Sequence, residues 1–149
     1  MKMNIYNILY KLIYNSSIDE MISFIKNNTD PIVLHHIAYN YNWDNGFDIP
    51  KTITESRYCD LGTALMIFED AGGFVMFLEQ DWKEIYGEDI NFLLSLKQRI
   101  EKRDFKYSKI KFKPFLTRTD VFNLKKSCPN INKIFIEGNE GEKIDIIVV

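Results

Sequence analysis

Cysteine, glycine, proline and histidine are all scarce in this 149-residue chain: two Cys, seven Gly, four Pro and two His. Cys59 and Cys128 each stand without a second Cys nearby. That spacing excludes a disulfide-stapled mini-protein and reads as two free thiols of a reducing cytoplasm. The glycines form neither G-x-G-x-x-G nor a Walker loop, and no G-x-S-x-G elbow occurs. Dinucleotide, P-loop and nucleophile-elbow chemistry therefore lack their usual scaffolds. His35 and His36 are adjacent, which on a helix sends them about 100° apart, a poor zinc pair without neighbouring cysteines. No metal, cofactor or catalytic residue is assigned. Long apolar runs are missing too, because Asn4, Asn7, Lys11 and Asn15 interrupt the opening residues. Neither a signal peptide nor a membrane span is expected, and the expected location is the cytoplasm.

What is present is an ordinary globular composition, with 46% hydrophobic and 27% charged residues. It argues against disorder, and the length favours one domain, 1–149. The net charge of -2 is a cancellation. Residues 17–90 carry 14 acids and four bases, whereas residues 91–133 carry 12 bases and three acids. The chain is a dipole in sequence.

Hydrophobic spacing supplies the elements. Ile5, Ile8, Leu9, Leu12 and Ile13 form an amphipathic helical stripe. Ser17 with Glu20 reads as a capping box ahead of Met21, Ile22 and Ile25. Asp30-Pro31 reads as the start of a third helix with Leu34, Ile37, Ala38 and Tyr41 inward. Asp48 and Asp60 each read as caps of further helices, the second carrying Leu61, Ala64, Leu65 and Phe68. Residues 74–78 leave helix and strand open, and a longer helix is expected from about Asp89 to Arg103. Beyond residue 105 the period changes: Ile110 and Phe112 alternate with Lys109, Lys111 and Lys113, as an edge strand would. Asp120 to Ser127 reads as helix. Residues 134–136 and 144–149, separated by Gly138-Asn139-Glu140-Gly141, read as a hairpin. The expected fold class is α+β: a helical bundle or short stack over 1–104, then a small β-hairpin or sheet with one helix.

Several residues have both a chemical and a structural reading. His35 or His36 with Asp44 can be drawn as a hydrolytic site. The helix geometry puts His36 outward and His35 on the flank, and no oxyanion motif supports catalysis, so the structural reading is preferred. Trp43 reads first as a core-closing side chain and second as a recognition anchor. The bases between Lys97 and Lys126, interleaved with Phe105, Tyr107, Phe112 and Phe115, resemble a nucleic-acid surface. Strand alternation and edge protection explain the same pattern, so nucleic acid ranks below a protein partner. The acids Asp44, Asp48, Glu69, Asp70, Glu79, Asp81 and Glu84, with Glu88 and Asp89 beyond them, form the candidate partner surface, suited to a cationic protein.

One stretch carries a resemblance. Leu34-His35-His36-Ile37-Ala38-Tyr39-Asn40-Tyr41-Asn42-Trp43-Asp44-Asn45-Gly46, then Ile49-Pro50, then Cys59-Asp60-Leu61-Gly62-Thr63-Ala64-Leu65-Met66-Ile67-Phe68 is similar to a small bacterial family of unknown function. Its members share Y-N-W-D-x-G followed by C-D-L-x-T-A-L-x-I-F. The resemblance implies a helical core in which Trp43, Asp44, Gly46, Pro50, Cys59, Asp60, Thr63 and Phe68 are structural motif residues. It implies no established activity. Some members are thought to be immunity proteins encoded beside bacterial toxins. The expectation from these readings together is a non-enzymatic, cytoplasmic immunity protein that neutralises a basic toxin domain through its acidic surface. The alternatives are the His–Asp hydrolase and the nucleic-acid-binding module.

Overall fold

A computed structural model describes residues 4–149, the side chain of Glu88 excepted; the reading of the first three residues and of Glu88 lies outside them. Helix α1 (Ile5–Tyr14) starts where the Asn4 side chain accepts the Tyr6 N–H, and it buries Leu9 and Leu12. Helix α2 (Ile18–Asn27) opens on the Ser17–Glu20 capping box and buries Met21 and Ile25. Helix α3 (Pro31–Asn40) begins at Asp30, whose carboxylate accepts the Ile32 N–H, with Pro31 at its first position. Each start follows from a short polar side chain satisfying a backbone donor that the helix cannot.

A 3₁₀ turn (Trp43–Asn45) leads into α4 (Asp48–Glu55), then α5 (Leu61–Asp70), α6 (Val75–Leu78) and α7 (Trp82–Tyr86). Helix α8 (Ile90–Glu101) follows, and α9 (Arg118–Ser127) and α10 (Ile134–Glu137) complete the order. Asp48 is not a cap: it is the first residue inside α4, preceded by Phe47 without a side-chain cap. Asp60 does cap α5. Helix α9 starts two residues earlier than its spacing indicates, because Thr117 caps it and Asp120 closes a second capping box.

Helices α3 and α5 are the inner ones. Helix α3 packs on α1, α4 and α5, while α5 packs on α8. Five consecutive residues of α3, 34–38, and eight of α5, 61–68, are buried. A helix surrounded on most sides cannot show a one-sided stripe. The core continues into Phe68, Phe77 and Phe135, whose ring centroids lie 5.0 to 6.0 Å apart.

The α+β expectation is overturned. Among the described residues the chain forms ten α-helices and no strand. The expected hairpin is absent: residues 134–137 are a helical turn, and 144–149 run on without a strand partner. The period-two segment is extended, with Ile110 buried and Lys109, Lys111 and Lys113 exposed, but it makes only isolated bridges: Asp60 to Tyr107, Ile110 to Glu142 and Phe112 to Asn139. Backbone bonds at the last two of these bridges join residues 109–112 to Asn139 and Glu142, and side chains supply the rest. The Asp60 carboxylate accepts the N–H groups of Lys109 (2.7 Å) and Ile110 (3.2 Å). The Asn139 amide donates to the carbonyl oxygens of Ser108 (3.2 Å) and Ile110 (2.9 Å). Buried backbone groups must be paired, but not by another strand.

Candidate functional site

Of the family-motif residues, Cys59, Asp60 and Thr63 stand at the start of α5. Asp60 is buried, and its carboxylate accepts the Gly62 N–H at 2.8 Å as well as the two amides of the extended segment. The Leu61 N–H donates to the Tyr107 carbonyl at 2.9 Å, fastening the same segment. Gly62 permits this approach, since a Cβ there would stand 2.3 Å from the Ile110 carbonyl oxygen. Cys59 is buried beside it, and burial pushes its thiol up to about 12, so it is an inert apolar filler. Cys128 is also free.

Trp43 is half-buried and packs edge-on against Tyr41 (5.7 Å) and Phe47 (5.6 Å). The Tyr41 hydroxyl donates to the Gly46 carbonyl at 2.7 Å, and Gly46 takes φ 91°, which favours glycine. Pro50 is buried in the first turn of α4, and Phe68 is buried in the aromatic cluster. These side chains shape and fix the helices.

Both histidines are buried, which corrects the outward placement of His36. The reason is the segment 144–149, which runs across α3. His36 Nδ1 donates to the Ile32 carbonyl at 2.8 Å, and its Nε2 lies 3.3 Å from the Asp145 carbonyl oxygen. Asn40 continues the attachment, donating to the Ile147 carbonyl and accepting the Val149 N–H. His35 Nδ1 shares a 2.8 Å hydrogen bond with the Thr63 hydroxyl. That is a hydroxyl–imidazole contact of the kind a nucleophile and base require, but both residues are sealed from solvent. Asp44 sits apart, exposed on the 3₁₀ turn.

Burial first, and the adjacent His36 second, push His35 down to about 4 from 6.5. A histidine with a depressed folded-state value contributes stability above its unfolded value. That contribution is lost as pH falls from about 6.5 to about 4, at up to about 1.4 kcal/mol per pH unit. Asp70 works in the opposite sense. Desolvation, then neighbouring Glu69, push its carboxyl up to about 6, although the residue as a whole is exposed. Urea denaturation from pH 7 to 4 should therefore show a smaller pH slope in His35→Gln than in the parent. An unchanged slope would refute this assignment.

The candidate partner acids lie on three stretches. Asp44 and Asp48 flank the turn into α4, Glu69 and Asp70 end α5, and Glu79, Asp81 and Glu84 surround α6 and α7. Asp44, Asp48, Asp70, Glu79, Asp81 and Glu84 are exposed, and Glu69 is half-buried with its carboxyl pushed up by desolvation. Acidic and basic stretches meet where α6 packs on α9, and Glu79 and Lys126 line one cavity there. They form no ion pair: among the described residues the one salt bridge is Lys97–Glu101, at 2.9 Å.

The basic stretch is not one face. Arg99 donates to the Thr54 carbonyl at 2.7 Å and lies 4.4 Å from the Phe105 ring centroid, so it ties α8 to α4. Lys111, Lys113 and Arg118 instead line a groove beside α9. Sequence reasoning missed that groove and Asn139, because nothing local marks the approach of residues 136–140 to 111–118. Among the described residues no cluster of His, Cys, Asp and Glu could hold a metal ion, and no helix is long and apolar enough to cross a membrane.

No curated protein and no solved structure matches the chain. Residues 29–101, from just before the Asp30 cap to the end of α8, match the family model described as Domain of unknown function (DUF4274).

Proposed function

We propose that the protein is a non-enzymatic, cytoplasmic binding domain that neutralises a cognate bacterial toxin of basic character. The supporting observation is the stretch 78–85. Leu78 and Ile85 are 41% and 54% exposed, and Trp82 is half-buried. Between them stand Glu79, Asp81 and Glu84, all exposed and without ion pairs among the described residues. Apolar anchors within a charged rim are the composition of an energetic hot spot. The uncompensated acids would steer a cationic partner and raise its association rate. The resemblance of residues 34–68 to a family some of whose members are thought to be immunity proteins supplies the kind of partner.

The test is association kinetics with the toxin-like product encoded beside this chain. Replacing Glu79, Asp81 and Glu84 by Lys together should slow association about tenfold or more and reduce its salt dependence. Folding stability should stay within about 0.5 kcal/mol, since these are surface positions. An association rate indifferent to all three charges would sink the reading.

A further inference from the structure

The groove beside α9 is unexplained by a surface that recruits a basic protein. It has a volume of about 530 Å³, inside the range of about 300–1,000 Å³ typical of small-ligand sites. Lys111, Lys113 and Arg118 line it, and Glu137 and Glu140 line it as well. All five are exposed, and none forms an ion pair among the described residues. Opposite charges therefore share one groove without a direct ion pair among the described residues. Leu116, Val121 and Ile136 supply apolar lining. At the start of α9 the Thr117 hydroxyl and the Asp120 carboxylate already pair with the backbone N–H groups of Asp120 and Thr117. The cationic side chains carry the anion affinity.

Phe115 is the second unusual feature. It is 92% exposed, and it stands between Pro114 and Leu116, both of which line the groove. An aromatic ring left in water beside a basic groove is what base stacking uses. Buried Asn139 holds the segment that precedes Phe115 through the carbonyl oxygens of Ser108 and Ile110.

We propose that this groove binds a nucleotide, free or as a unit of a single-stranded RNA. The anionic phosphate fits Lys111, Lys113 and Arg118. Glu137 and Glu140 are acceptors for the amino and ring N–H groups of a base or for ribose hydroxyls, as carboxylates are elsewhere. The apolar lining and Phe115 take the ring faces. Inorganic phosphate would leave the two carboxylates and the apolar lining without a role.

The experiment is an amide NMR titration of the full chain with AMP, GMP, CMP, UMP and, separately, inorganic phosphate. Signals from residues 111–121 and 136–140 should move with all four nucleotides. Affinity should exceed that for phosphate about tenfold or more, with UMP weakest because it lacks an amino donor. Lys113→Ala with Arg118→Ala should cost about tenfold or more in affinity, and Glu137→Gln with Glu140→Gln should flatten the base preference. Spectra outside the groove report whether each variant is folded. A labelled single-stranded RNA that binds about tenfold tighter than a mononucleotide identifies a strand as the source; equal affinity identifies the free nucleotide. The proposal is overturned if no nucleotide moves these signals up to about 1 mM, if phosphate binds as tightly, or if the cation-deleted protein binds unchanged.

Discussion

Asp60→Ala should lower the stability of the protein by about 3–5 kcal/mol, measured by urea denaturation. The carboxylate is buried and serves three backbone donors, the N–H groups of Gly62, Lys109 and Ile110. A buried donor stripped of its acceptor costs about 1–3 kcal/mol, and loss of a helix cap costs about 0.5–2 kcal/mol. Alanine removes all of this at once, and the neighbouring backbone leaves water little access. Asp60→Asn keeps one acceptor oxygen, but it turns an amide NH₂ toward groups that are themselves donors. Its loss should be smaller, about 1–2 kcal/mol. Amide exchange at Lys109 and Ile110 should accelerate in both variants beyond the global change. A loss below about 1 kcal/mol in the alanine variant would show that the extended segment is held by other contacts.

The same carboxylate explains where reading the sequence succeeds and where it fails. Helices α1, α2 and α3 are legible because their signals are local: Asn4, Ser17 with Glu20, and Asp30-Pro31 cap them, and their apolar spacing follows. Residues 105–149 are misread because an alternation of Ile110 and Phe112 with lysines reports only an extended backbone with one buried side. It says nothing of what satisfies the backbone. Here the partners are the side chains of Asp60 and Asn139, 50 residues before and 29 after Ile110, together with the backbone of Asn139 and Glu142. Their contribution depends on sequence-distant packing that no window along the chain contains.

The histidines show the corresponding limit for chemistry. A stripe drawn from Leu34, Ile37, Ala38 and Tyr41 leaves His36 facing water. The C-terminal residues 145–149 then cover that face through Asp145, Ile147 and Val149. By contrast, the exposure of Asp44, Asp48, Asp70, Glu79, Asp81 and Glu84 is legible, because charged side chains without partners stay in water, whereas Glu69 is half-buried. The groove at residues 111–118 is half legible: its lysines and Phe115 form a visible pattern, while Glu137 and Glu140, which also line it, lie more than fifteen residues further along the chain.

Phe135→Ala is expected to cost about 3–5 kcal/mol, the usual range for emptying a fully buried phenylalanine site. Phe135 is completely buried on the short helix α10, outside the span matched by the family model. Its ring centroid lies 5.0 Å from Phe68 of α5 and 5.0 Å from Phe77 of α6. Two such aromatic contacts add about 0.5–1.5 kcal/mol each beyond area burial. Phe68 is boxed in by Phe74 and by Gly73, where even a Cβ would approach its ring to 2.5 Å, so the neighbours cannot easily collapse into the cavity. Phe135→Leu keeps most of the volume and should lose less than half as much. The two variants separate lost packing from lost ring–ring contact, and the denaturation slope adds a further discrimination. If residues 105–149 are integral to the helical core, unfolding of Phe135→Ala remains a single transition at lower denaturant. If they are an appendage, the loss at α5 is small and the transition splits. The burial of Phe135 among Phe68 and Phe77 argues for the single transition.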